Sequence, residues 1–213
     1  MHILRIISKL VRVVVGSRET SCIYTYCRQK QQAGAKDPSV EVFDARTPPP
    51  PRVKELVSAK VGWIGYWFMH RRMVRYGGKL LCLRIDGELA AYGWIQGWRP
   101  FRHRYRWLLD DAIMLGFFWT APRFRGRGLY GRLLAHSIAV CDERERIPLI
   151  VAVGVSNTSS QRGVDKAGFT RIGVYEMTRR FFSLFTSVRV IEQDDSAAAG
   201  LRRKPFSAGA SSR

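Results

Sequence analysis

Apolar residues recur along this chain at different spacings, and each spacing predicts an element. Over residues 3–15, Ile3, Leu4, Ile7, Leu10, Val11 and Val14 fall by threes and fours, with Arg5, Lys9 and Arg12 elsewhere on the wheel. That is an amphipathic helix, and two placements fit it: packed on the domain, or lying on an anionic membrane. "QQAGAKDPS" then reads as a polar linker and "VEVFDA", from Val40, as a first strand. The four prolines of "RTPPPPRVKELVSA" forbid a helix until about Arg52 and then permit one. "VGWIGYWFMHRRMVRYGG" predicts a second helix closed by Gly77 and Gly78. "KLLCLRIDGELAAYGWIQ" is a hairpin, its two apolar runs joined by Asp86-Gly87, the dipeptide preferred in a type I′ turn.

A basic aromatic loop, "GWRPFRHRYRW", precedes "LLDDAIMLGFFWT", a strand ending just before Pro122. From about Gly128 the spacing of Tyr130, Leu133, Leu134, Ile138 and Cys141 predicts a helix. "PLIVAVGVSN" reads as a strand buried on both faces, and "SSQRGVDKAGF" as a short helix stopped at Gly168. "TRIGVYEMTRRFF" and "SLFTSVRVIE" give two more strands. The expected fold is therefore α/β (α+β). A mixed, mostly antiparallel central sheet carries helices on both faces, and only the central β-α-β crossover is parallel. The expected organisation is an N-terminal helix and linker over 1–39, a catalytic-size domain over 40–191, and a polar, small-residue tail over 192–213, expected to be disordered.

Composition narrows the classes. At 213 residues and 46% apolar, the chain can bury a core. No apolar run is long enough for a spanning helix, and the N-terminus lacks the unbroken run of a secretory signal. A cytoplasmic address follows as an expectation, with peripheral contact at the inner face of the membrane as a variant of it. The cysteines at 22, 27, 82 and 141 form no C-x-x-C pair and no histidine sits at ligand spacing, so free thiols and no metal are expected. The formal charge of +19 favours polyanionic partners: a nucleotide cofactor, nucleic acid or an anionic membrane.

The segment "RFRGRGLYG" supports two phosphate-binding readings. From Gly126 it fits G-x-G-x-x-G, the dinucleotide fingerprint, which wants an acidic residue about twenty positions on, after the next strand. That strand ends in glycine, serine and asparagine, so the fingerprint fails. From Arg123 it fits R-x-x-G-x-G, a turn that opens a helix and aims free backbone N–H groups at a diphosphate.

With Arg123, Gly126 and Gly128 in that loop, and Asn157, Lys166, Gly168 and Phe169 in the "N…KxGF" segment after the next strand, the chain resembles the GCN5-related N-acetyltransferase (GNAT) family over about residues 40 to 190. The resemblance implies acetyl-CoA as co-substrate and direct attack of an acceptor amine on the thioester. It implies that Arg123, Arg125, Gly126, Arg127, Gly128, Leu129 and Tyr130 surround the diphosphate. Backbone groups near Phe118 and Thr120 bind the pantetheine arm, and Asn157 contributes from the second segment. A strand N–H would polarise the thioester carbonyl.

A carboxylate on the strand before the loop often serves the family. Asp110 and Asp111 stand at its start here, and alternation favours Asp111 if no bulge intervenes. The family's acid tyrosine falls on Val164, which donates nothing, so Tyr130 and Tyr175 are the substitutes considered. Arg99, Arg102, Arg104, Arg106 and His103 suggest a small, anionic amine acceptor such as a nucleotide-linked amino sugar. The same basic and aromatic interleaving also fits a non-catalytic module that binds nucleic acid or an anionic membrane.

Overall fold

A computed structural model describes residues 17–26, 36–105, 108–142, 147–180, 185–194 and 196. The amphipathic helix expected over 3–15 and nearly all of the expected tail lie outside these residues. The elements run β1 (Ser17–Tyr26), β2 (Val40–Phe43), α1 (Pro51–Val61), α2 (Trp63–Tyr76), β3 (Lys79–Ile85), β4 (Glu88–Gly97), α3 (Arg102–Tyr105), β5 (Ile113–Thr120), a 3-10 turn (Pro122–Phe124), α4 (Leu129–Asp142), β6 (Leu149–Gly154), α5 (Thr158–Lys166), β7 (Thr170–Arg180) and β8 (Phe185–Gln193). From β2 onward this is the expected order, except that the basic loop holds the short helix α3 and a 3-10 turn follows β5.

All eight strands form one sheet in the order β2-β3-β4-β5-β6-β1-β7-β8, and only β5 and β6 run parallel. One face carries α4 and α5, packed through Leu129, Leu133, Leu134, Ile138 and Val164 on Leu81, Leu83, Ile95, Leu115, Val151 and Tyr24. The other face has two parts. The α1–α2 pair covers its β3–β4 end through Val57, Tyr66, Met69 and Met73. The segment around α3 covers its β5–β6–β1–β7 end through Trp98, Phe101, Tyr105 and Leu108. In the basic aromatic loop the Trp98, Phe101 and Tyr105 rings face the core.

Local chemistry sets the boundaries as expected. Pro51 opens α1 at a position where its missing N–H costs nothing. Asp86 and Gly87 both take positive φ (52° and 75°), the backbone of a type I′ turn.

The structure corrects the first boundary. Residues 17–26, assigned to a helix-and-linker region, form a strand inside the sheet, antiparallel to β6 on one side and to β7 on the other. Cys22, Ile23, Tyr24 and Thr25 are buried, because both faces of the sheet are covered at this point. The sheet therefore already includes Ser17–Tyr26, ahead of the expected domain start at 40, and at its other end β8 continues to Gln193.

Candidate functional site

The parallel pair β5/β6 is joined at Ile113–Leu149, Met114–Ile150 and Leu115–Val151 and nowhere further. Beyond Leu115 and Val151 the two strands part, so their facing N–H and C=O groups do not bond to one another. β5 also bulges there. Gly116 pairs with Trp94 and Trp119 with Tyr92, which leaves Phe117 and Phe118 opposite Gly93 alone. Phe117 takes φ 54°, a conformation unfavourable for a bulky side chain, and its ring is exposed. Strain of about 1–3 kcal/mol is typical of such residues, and they gather at functional sites.

Directly after β5 the chain turns through the 3-10 segment and the glycine loop into α4. Gly126 and Gly128 have φ of 77° and 73°, and a Cβ on either would meet no atom within 4 Å. The loop therefore presents bare backbone to open space. The N–H groups of Phe124 and Arg125 are used in the turn, and Arg132 N–H returns to the Gly128 carbonyl. Among the described residues, the N–H groups from Gly126 to Gly131 have no main-chain acceptor. This row of donors at a helix N-terminus fits a diphosphate in charge, shape and hydrogen-bonding capacity.

The arginines divide. Arg123 pairs with Glu88 on the hairpin, and Arg132 donates to Asp37 (2.8 Å) and to the Ser39 hydroxyl (2.7 Å). Arg125 Nε–H reaches the Thr120 carbonyl (3.4 Å), and the Arg127 guanidinium lies 5.3 Å from the centre of the Phe124 ring. Of the expected phosphate-side arginines, Arg125 and Arg127 remain at the loop itself. Arg123 and Arg132 tie the loop to β4 and to the segment before β2.

Four residues define the inner wall on the α4 face. The Phe118 ring fills the space left by Gly93 and meets Tyr130 edge-on at 5.3 Å. Tyr130 in turn lies against Gly163 of α5, where a Cβ would stand 2.6 Å from its ring. These two aromatics, set between two glycines, reach from β4 across to the helix that follows β6. Burial pushes the Tyr130 hydroxyl well above the ordinary phenol range, and nearby Tyr24 of β1 adds to the shift. Val164, where the family pattern has its tyrosine, is fully buried.

Other expected residues are placed elsewhere. Asp111 lies before β5 begins, at the end of the strand far from the loop, and its carboxylate accepts the Ala112 N–H (2.9 Å). The bulge also breaks the alternation that favoured it. Tyr175 is buried on the opposite sheet face, its hydroxyl turned toward the Ile172 carbonyl (3.5 Å), so it does not share a wall with Tyr130. Asn157 caps α5, its side chain accepting from Ser160 N–H (3.1 Å), and Phe169 packs on Tyr26. In this chain the "N…KxGF" segment starts and stops a helix.

On the face away from α4, a concavity of about 40 Å³ is bounded by Glu19, Ser21 and Ile23 of β1, Tyr105, Ala152, Tyr175 and Met177. Ala152 is the first β6 residue past the last parallel pair, and alternation sets Gly116 across from it. Two small residues thus flank the parting on this side. The volume suits a head group such as an ammonium, not a whole substrate. Glu19 brings a carboxylate to it from the strand that periodicity missed. A second, larger cleft of about 540 Å³ lies by the outer end of β5, between Arg52, Leu56 and Lys60 of α1 and Trp119, Pro122 and Arg123.

A splayed parallel pair beside a helix start with unpaired N–H groups defines the class: an α/β fold with a mixed sheet and a phosphate-sized turn at the end of its parallel strands. Residues 40–169 match the model of the acetyltransferase (GNAT) family, and the chain belongs to that family, whose members use acetyl-CoA as co-substrate. Among curated proteins, no relative matches the chain in sequence. The fold is similar to that of a GNAT-family protein from Novosphingobium aromaticivorans (TM-score 0.56, 21% identity, 76% of this chain and 64% of that one). It is also similar to a GNAT acetyltransferase from Colwellia psychrerythraea (0.51, 16%, 84% and 57%). A GCN5-related N-acetyltransferase from Sphaerobacter thermophilus is a third (0.50, 16%, 82% and 54%). The chain spans less than two thirds of the length of each of these structures.

Proposed function

We propose that this protein transfers an acetyl group from acetyl-CoA to the amine of a small acceptor. The observation that carries the reading is the row of N–H groups from Gly126 to Gly131, open to solvent at the end of the parted strands. Acetyl-CoA would supply the acetyl group as a thioester. Arg125 and Arg127 add positive charge beside the diphosphate. The bulge at Phe117 frees β5 backbone to bind the pantetheine arm and to polarise the carbonyl.

The amine approaches from the opposite face, past Gly116 and Ala152. Its nitrogen bonds to the carbonyl carbon as the C–S bond breaks, and it sheds a proton. Glu19 is the carboxylate in that concavity: it holds the resting ammonium, which gives up one proton to water so that the neutral amine can attack, and it takes the second proton once C–N bonding has made the nitrogen acidic. On the leaving side Tyr130 serves as a hydrogen-bond donor. An ordinary phenol near pKa 10 giving its proton to a thiolate near 8.5 already costs about 2 kcal/mol, and burial of Tyr130 raises that further. The thiolate departs as such, stabilised by the hydroxyl.

The concavity alters the acceptor expectation. Arg99 is 5.9 Å from the Tyr76 ring, and the basic loop's contribution to the concavity is Tyr105. The acceptor therefore presents a cationic amine to Glu19, and an anionic body is not required at this end. The side chains of His103, Arg104 and Arg106 lie outside what the structure describes.

The test is calorimetric binding of acetyl-CoA followed by free-thiol release over a panel of amines. Wild type binds and turns over. Gly128→Val places a β-branched residue at φ 73°, costing about 1–2 kcal/mol or more, and sets its methyls over the N–H row. It is expected to remain folded and to lose binding. Normal acetyl-CoA binding by this variant would refute the site.

A further inference from the structure

Helix α2 is apolar on two sides. Its inner side, Tyr66, Met69 and Met73, is buried in the core. Its outer side carries Trp63, Ile64, Trp67, Phe68 and Val74, each about half exposed or more, with Trp63 75% exposed. At 100° per residue, these five together with Arg71 and Arg75 occupy one continuous stripe of about 140°, opposite the buried residues. A surface helix with large aromatic side chains on its solvent side has a face that something covers.

The chemistry of the stripe selects the occupant. Two indoles and a phenyl ring alternate with arginines, Arg71 lies 5.4 Å from the Trp67 ring centre, and the helix contains no acidic residue. Tryptophan beside arginine is the composition of a bilayer interface: indoles settle at the headgroup level while guanidinium groups meet lipid phosphates. A second copy of the chain is the poorer match. A two-fold contact would bring Arg71 and Arg75 of each copy together with no carboxylate on either helix to offset them. The whole-chain charge of +19 acts in the same direction, drawing the protein to an anionic surface.

We propose that the outer face of α2 docks this protein on an anionic phospholipid surface, with Trp63, Trp67 and Phe68 inserted among the headgroups and Arg71 and Arg75 on their phosphates. The covering helix pair α1–α2 is then the membrane side of the molecule. The glycine loop does not use these exposed side chains, so docking and acetyl transfer are separable.

The probe is a vesicle, either pure phosphatidylcholine or an equimolar mixture with phosphatidylglycerol, mixed with the full chain and recovered by flotation. Binding is expected on the anionic vesicles, with a blue shift of tryptophan emission. Trp63→Ser with Trp67→Ser should weaken it on the order of a hundredfold. Each of Arg71→Gln and Arg75→Gln should weaken it roughly fivefold. Ile191→Ser, at an exposed apolar position on β8, should change nothing. Thiol release in vesicle-free solution should be the same for all of these variants, which shows that they fold. The proposal is overturned if no vesicle binding occurs, or if the double tryptophan variant binds as wild type does, which would hand the contact to residues outside α2. Concentration-dependent dimers abolished by that variant, without lipid binding, would also overturn it.

Discussion

Replacing Gly163 by alanine tests the inner wall of the site, because the sign of its effect depends on one neighbour. Gly163 is the sixth residue of α5, where alanine alone would favour the helix by about 1 kcal/mol. Its new Cβ, however, would lie 2.6 and 2.8 Å from Cδ1 and Cε1 of Tyr130, well inside ordinary contact. The ring must retreat by about 1 Å, and overpacking of this kind costs about 1–3 kcal/mol. The net expectation is a loss of about 0–2 kcal/mol, together with reduced turnover as Tyr130 leaves its place against Phe118. In a Tyr130→Ala background the obstacle is gone, and the same substitution should stabilise by about 1 kcal/mol. Urea unfolding of the four proteins gives the coupling, expected at about 1–3 kcal/mol. For a domain of this size each kcal/mol moves the Tm by about 2–4 °C, so thermal scans can follow the change of sign. Equal stabilisation in both backgrounds would mean that the ring does not rest on Gly163, and the assignment of Tyr130 to the wall would fall.

Two further outcomes are expected. Glu19→Gln should lower kcat about a hundredfold or more while leaving acetyl-CoA binding at its wild-type value, since the carboxylate faces the acceptor side only; an unchanged kcat removes Glu19 from the reaction. His136 is buried and accepts the Asp37 N–H at Nδ1 (3.0 Å), so its neutral form is the one that fits. Burial lowers its pKa, with Lys36 acting in the same direction and Asp37 against them. A depressed folded pKa gives stability that is present above the unfolded value of about 6.5 and is lost as pH falls through the folded one. Wild type should therefore lose Tm between about pH 7 and pH 5, and His136→Asn should show a flatter profile over that window; parallel profiles would refute this.

Much of the fold was legible where local chemistry decides it. The Asp86-Gly87 turn, the proline-opened α1 and the helix beginning after Gly128 all depend on backbone preferences that single residues impose. The loop amides were legible for the same reason, because glycines at positive φ and a helix start are local facts. Three features were not. β1 shows no apolar alternation, since both of its faces are covered, and its partners lie more than a hundred residues away. The clustering of β-branched and aromatic residues in "CIYTY" was the available signal. With β1 went Glu19 and Tyr24. The bulge at Phe117 leaves no trace in residue type, because a phenylalanine carries the positive φ. The displacement of Asp111 follows from Leu108 and Leu109, which turn into the core beneath α3 and delay the start of β5 to Ile113.

The position of β1 has a consequence for how the chain reaches this state. It is synthesised before the other seven strands of the sheet, yet it is bonded on one side to β6 and on the other to β7, both made more than 120 residues later. At a synthesis rate of about 5–20 residues per second, it waits for many seconds with its apolar side chains unhoused. The interior place of β1 is filled only when β7 arrives, and a nascent chain halted before β7 holds a strand with only one of its two neighbours.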